Sequence, residues 1–196
     1  MPATFRFKFV VWNGMLLWLG LFYYGPQWFP IRAPHELAPG AFDHAVPFLP
    51  ETAWVYQSLF IFLPLTTLAQ RDSASLIRFA SGFCLLVLAF STIFWFYPTQ
   101  IQDHPPLAHV SWAYDHLVTA VDGRRNAFPS LHAALTVYAG SSLIRLQSKN
   151  RFARCGAILW ILALLLSTLT TKQHILVDLI FGAGAGLFAG AIQTGR

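Results

Sequence analysis

The chain has 196 residues, of which 56% are hydrophobic and only 11% charged, with a formal net charge of +5 and a mean hydropathy of +0.52. Soluble globular domains carry about 25% charged residues, so the composition excludes that class. The positive charges lie between apolar blocks rather than along a groove or stripe, which excludes a nucleic-acid partner and makes the charges reporters of membrane topology.

A helix needs about 20 mostly apolar residues to cross about 30 Å of hydrocarbon. Six stretches approach this: 9–24, 52–70, 76–97, 128–146, 155–171 and 174–193. Backbone groups in lipid must bond within their own segment, so these read as helices. The first follows Arg6 and Lys8 and has no small-residue cleavage site after it, the pattern of a signal anchor. The predicted fold is all-α: a six-helix transmembrane bundle forming one membrane domain over 1–196, with 1–51 a signal-anchor helix and outer loop and 52–193 the core.

The connections differ in kind. The stretch 25–51 is long and holds six prolines, and 70–74 is a tight polar turn. The stretch 98–127 carries His104, His109 and His116 with Trp112 and Tyr114, expected to form a solvated or interfacial lid, with substrate contact as the alternative, and a helix is expected near 109–121. Little more than Lys172 and Gln173 joins the last two helices. His35 and His44 are expected to be solvated, and Cys84 and Cys155 to be buried free thiols. Gly182, Gly184 and Gly186 read as small residues for close helix packing rather than a phosphate loop. With the N-terminus inside, the cytoplasmic side holds Arg6, Lys8, Arg71, Arg78, Arg145, Lys149, Arg151, Arg154 and Arg196, against Arg32, Arg124, Arg125 and Lys172 outside. This positive-inside bias predicts that both termini are cytoplasmic.

Of the eight acidic residues, only Asp178 falls inside a predicted membrane helix. A charge at mid-bilayer costs about 2.5–3.5 kcal/mol on insertion scales, so Asp178 is expected to face the interior with a partner. His174 stands four residues earlier, on the same predicted helical face. A carboxylate accepting from one imidazole nitrogen fixes the tautomer and makes the other nitrogen the more basic. Such a pair can also simply join helices.

The segment Arg124-Arg125-Asn126-Ala127-Phe128-Pro129-Ser130-Leu131-His132 opens the fourth helix on the same face. Proline suits a first helical turn. The free N–H groups there, with the helix dipole, Arg124 and Arg125, would form an anion site. Asn126 of the same segment and Ser130, which adds a hydroxyl donor, are expected to bind substrate with the two arginines, and Lys172 could hold a phosphate oxygen. One oriented imidazole (His174, nucleophile) and one beside cations (His132, general acid) point to phosphoryl transfer through a phosphohistidine. No metal or other cofactor is required if cations and dipole balance the phosphate charge, although residue types alone also permit a metal at His132, His174 and Asp178.

Phe128-Pro129-Ser130-Leu131-His132 resembles the P-S-x-H motif of the phosphatidic acid phosphatase type 2 superfamily. Ser167-Thr168, His174 and Asp178 resemble its S-R-x5-H-x3-D motif. The resemblance implies a six-helix core with the site at one membrane face. It also implies attack by His174, orientation by Asp178 and protonation of the leaving group by His132. The superfamily's K-x6-R-P motif is absent, Thr168 stands for its arginine, and Leu131 stands for a glycine. Arg124, Arg125 and Lys172 are the expected substitutes. The F-P-S-L-H form and Lys172-Gln173-His174 are similar to the branch that includes inositol phosphorylceramide synthases, which transfer a phosphorylated headgroup between lipids. The expected partners are a lipid phosphate and the bilayer, in a bacterial inner membrane with the site facing the extracytoplasmic side. Three activities follow: a lipid phosphatase, a headgroup phosphotransferase, or a lipid-binding or transport protein on a degenerate phosphatase scaffold.

Overall fold

The computed structural model describes residues 2–102, 111–119, 125–147 and 149–193. Each of the six apolar runs falls on helix. The elements are α1 (Phe5–Trp28), β1 (His35–Leu37), α2 (Ala41–Ala45), α3 (Ala53–Gln57), α4 (Leu59–Ala69), α5 (Ser73–Phe96), β2 (Thr99–Ile101), α6 (Leu131–Leu146), α7 (Arg151–Thr170) and α8 (Leu176–Ile192), with a 3₁₀ turn at Pro50–Thr52 and a π turn at Tyr114–Thr119. Four helical stretches have the length and hydropathy to cross a membrane: Phe5–Trp28, Pro50–Ala69, Ser73–Phe96 and Arg151–Thr170. Leu176–Ile192 is apolar but shorter. α6, at 16 residues, is the most enclosed helix, with Leu131, Ala133–Gly140 and Ser142 all buried.

Helix starts follow side-chain chemistry. Thr4, Asp72, Ser130 and Asn150 each place an oxygen where it accepts from a free first-turn N–H, opening α1, α5, α6 and α7. At α5 the Ser75 N–H donates to the Asp72 carboxylate at 2.9 Å. That bond is the main cause holding the Asp72 carboxyl below its ordinary value of 3.8. Because the folded pKa is depressed, the contribution is present above the unfolded value and is lost as pH falls through the lower folded one. Asp72→Ala is expected to lower Tm at neutral pH and to flatten the fall of Tm with acidification; an unaltered acid limb in thermal melts overturns this.

Several expectations need correction. α1 runs on through Gly25 and a buried Pro26 to Trp28; apolar helices of this kind tolerate an internal proline where other groups take up the freed carbonyl. The outer connections also contain strand: β1 and β2 pair in parallel, His35 opposite Thr99 and Leu37 opposite Ile101. His35 is exposed but stacks on Tyr97, with ring centroids 4.3 Å apart. Cys155 is exposed rather than buried, and Cys84 is only partly buried.

The glycine stripe is shifted from its expected place. Gly182 lies against the Ser130 carbonyl, Gly186 against the Ala134 carbonyl and Gly190 against Ser141 Oγ, whereas Gly184 faces open space. Spacing by four puts three glycines on one face, so α8 seats directly on the α6 backbone.

The two ends of the bundle are distinguishable by contacts. At one end Ala3 N–H donates to Arg71 O and Arg71 to Leu146 O, while Gln193 donates to Arg78 O. At the other end Arg125 donates to Gln27 O, and Leu49 N–H to Thr170 O. Pro2 and Gln193 therefore share the end opposite to His174.

Candidate functional site

α8 starts without a cap of its own. Its N-cap position is Ile175, which has no side-chain acceptor. Two carboxylates supply the deficit. Asp178 Oδ2 accepts from Ile175 N–H at 3.0 Å, and Asp43 Oδ1, from α2 in the proline-rich loop, accepts from Leu176 N–H at 2.7 Å. Both favour the positive end of the helix dipole. Asp178 is fully buried.

His174 lies two residues before α8, not on it, so the expected shared helical face with Asp178 is not the arrangement found. The two still meet. His174 Nδ1 is 2.9 Å from the Ala127 carbonyl oxygen and 3.4 Å from Asp178 Oδ2. Both neighbours are acceptors, so a neutral imidazole carries its proton on Nδ1 and keeps its lone pair on Nε2. The nearer acceptor is a backbone carbonyl, which sequence reasoning did not include. The α6 and α8 starts are tied together directly: Ser130 N–H donates to Asp178 O at 3.1 Å.

His132 is the second residue of α6. Its ring stacks on Tyr56 of α3, with centroids 4.0 Å apart and planes within 16°. It is near enough to His174 for the two imidazoles to interact electrostatically. His132 Nε2, Asp178 Oδ1 and Asn126 Oδ1 are buried without a hydrogen-bond partner among the described residues. Gln27 Nε2, Ser91 Oγ and Thr136 Oγ1 are likewise unpartnered; buried polar atoms are nearly always bonded, so the three on the segments that meet here are candidates to face a polar ligand.

The expected phosphate ligands fare differently. Arg124 lies outside the described residues. Arg125 turns away to the Gln27 carbonyl at 3.3 Å and pairs by its backbone with Gln100. Asn126 is buried in a left-handed conformation, φ 64°, and donates to the Tyr23 carbonyl at 2.9 Å. Ser130 caps α6, its hydroxyl oxygen accepting from Ala133 N–H at 3.1 Å. Lys172 donates to the carbonyls of Asp43 and Val46 at 2.6 and 2.5 Å. Its ammonium is thus held by the loop, although it lines the same 240 Å³ cavity as His174 and Asp43. Among the described residues no three His, Cys, Asp or Glu side chains converge as a metal site.

Within the stretch expected to form a lid, residues 111–119 are described. Trp112 stacks near Trp54, Tyr114 packs against Phe48, and Gln173 donates to the Tyr114 hydroxyl at 3.1 Å. The segment 112–119 therefore covers α3 and touches the residue beside His174. His104 and His109 lie outside the described residues. Sequence reasoning missed Tyr56 and Asp43. An aromatic in an apolar run and a carboxylate in a proline-rich loop carry no local signal of a shared site.

Residues 28–192 match the PAP2 superfamily. No curated protein and no solved structure matches the chain. The family match supports a phosphoric ester hydrolase-type enzyme with a lipid-like substrate, and the apolar helices support a place in a membrane. The chain belongs to the PAP2 superfamily.

Proposed function

We propose that the protein is an integral membrane lipid phosphatase or phosphotransferase that works through a phosphohistidine on His174. The observation that carries this reading is the pair of acceptors on His174 Nδ1, which leaves Nε2 as the nucleophilic nitrogen. Nε2 attacks phosphorus, the ester P–O bond breaks, and His132 gives a proton to the departing alkoxide. Water then attacks the phosphohistidine, the P–N bond breaks, and His132 takes up the water's proton. The unpartnered Nε2 of His132 is free to handle that proton. Arg124, Arg125 and Lys172 are proposed as phosphate ligands; for Arg125 and Lys172 this requires release from the carbonyls they hold. Asn126 and Ser130 shape the α6 entrance.

The proposed topology is six membrane helices with both termini cytoplasmic and the site on the extracytoplasmic side of a bacterial inner membrane. The positive-inside bias and the gathering of Pro2, Arg71, Leu146 and Gln193 at one end support it.

A second reading is transfer of a phosphorylated headgroup to a lipid alcohol, as in the branch that includes inositol phosphorylceramide synthases. The F-P-S-L-H form favours it, and so does a His132 that lines a largely apolar cavity. A panel of lipid phosphates, assayed in detergent for both free phosphate and new lipid, separates the two. Phosphate release in water alone supports the phosphatase. A new phospholipid formed only with added ceramide or diacylglycerol supports the transferase. Lipid binding with neither product supports the non-catalytic alternative.

Asp178 invites a graded prediction. Asp178→Asn is expected to lower turnover about 10- to 100-fold, less than loss of the nucleophile, because the Ala127 carbonyl still holds the Nδ1 proton. Asp178→Ala leaves the Ile175 N–H buried and unmatched, a cost of about 1–3 kcal/mol. Steady-state kinetics with detergent melts test both; Asp178→Asn as inactive as His174→Ala would show that the carbonyl does not hold the tautomer.

A further inference from the structure

A cavity of about 320 Å³ runs between α1, α3, α4 and α6 and reaches His132. Its lining is graded. Tyr23, Tyr56 and Gln57 stand at the His132 end, and Leu16, Leu19 and Leu135 lie one or more helical turns deeper. A lipid phosphate has the same order, with its polar group at one end and its chain at the other. Pockets for small ligands pair apolar walls with a few placed polar groups, and here the polar end is the one that holds His132, the proposed proton donor.

Two further observations bear on what fills it. Leu16 and Phe60 line the cavity and remain 39% and 40% exposed, so its flank opens on the apolar outer surface. One wall is α1, nearly all of which precedes the family match that begins at residue 28. That wall is anchored, since Trp18 Nε1 donates to the Cys84 carbonyl of α5 at 3.1 Å, and Met15 and Leu19 are buried in the main core.

We infer that this cavity holds one long hydrocarbon chain of the phosphate ester, and that α1 sets the chain-length selectivity, with Gly20 as the gauge. A Cβ built at Gly20 meets nothing within 4 Å. Gly20 also lines the cavity, so a larger side chain starts in open space at the cavity wall. This inference rests on the reading of His174 and His132 as the reacting pair.

The test uses the full chain in detergent with dioleoylphosphatidate and dihexanoylphosphatidate as substrates. Gly20→Phe is expected to lower kcat/KM for the long-chain ester about tenfold or more and to leave the short-chain ester within about twofold; the smaller Gly20→Leu gives an intermediate loss. Gly14→Phe is the control, since Gly14 also has open space at its Cβ but does not line the cavity, and it changes neither substrate. Equal losses on both esters, or no loss on either, overturn the inference. Binding of hexadecylphosphonate keeps the two readings apart. If His174→Ala retains turnover, the catalytic reading fails, yet weaker phosphonate binding by Gly20→Phe still supports the chain pocket. If His174→Ala is silent and Gly20→Phe binds the phosphonate as wild type does, the pocket inference fails alone.

Discussion

His174→Ala is expected to remove product formation from a lipid phosphate by about 10⁴-fold or more, with the fold retained in detergent and stability lowered only by the cost of an orphaned Ala127 carbonyl, about 1–3 kcal/mol. The proposed intermediate is a P–N bond to Nε2, and alanine offers no atom to form it. The structural loss is small by comparison, because the Asp178 carboxylate keeps its bond to Ile175 N–H and the Asp43 carboxylate keeps Leu176 N–H. The start of α8 should therefore survive without the imidazole. A labelled lipid phosphate, quenched in the first turnover, should leave acid-labile label on wild type and none on His174→Ala. Turnover within tenfold of wild type would sink the phosphohistidine reading. Label retained by the variant would place the covalent bond on another residue.

The largest effect on stability is expected at the α6–α8 seam. A methyl group at Gly182 runs into the Ser130 carbonyl, and one at Gly186 into the Ala134 carbonyl. These are backbone atoms of a buried helix, which cannot rotate aside as a side-chain end can. Gly182→Ala or Gly186→Ala should cost about 3 kcal/mol or more, the upper range of overpacking, and should move α8 off α6. Gly182→Ala should also weaken activity, because it strikes the residue whose N–H donates to Asp178 O. Gly184→Ala, two residues away and facing open space, is the internal control. It should be neutral or slightly stabilising, since alanine is the better helix former by about 1 kcal/mol. Equal melts for Gly184→Ala and Gly186→Ala would show that the seam is looser than the structure has it.

The amino-acid sequence alone determined the class of the molecule. Runs of apolar residues cannot be exposed to water and need internal backbone bonds in lipid, so the all-α class and the rough places of the apolar helices were legible without coordinates, while the short α2, the break between α3 and α4 and the β1–β2 pair were not. The candidate residues were legible too, because an acid in an apolar run and a histidine beside a helix-opening Pro-Ser are costly unless used. Tertiary structure decided what those residues touch. The i,i+4 spacing of His174 and Asp178 implied a helical pair, but His174 precedes the helix, and its nearest partner is the Ala127 carbonyl. Spacing along a chain cannot encode a carbonyl arriving from 47 residues away. The same reason hid Tyr56 under His132 and Asp43 at the start of α8. It also displaced Lys172, whose charge suggested a phosphate ligand but whose ammonium is held by two loop carbonyls. Local pattern fixes which groups must find partners; only the packing of distant segments decides which partners they find.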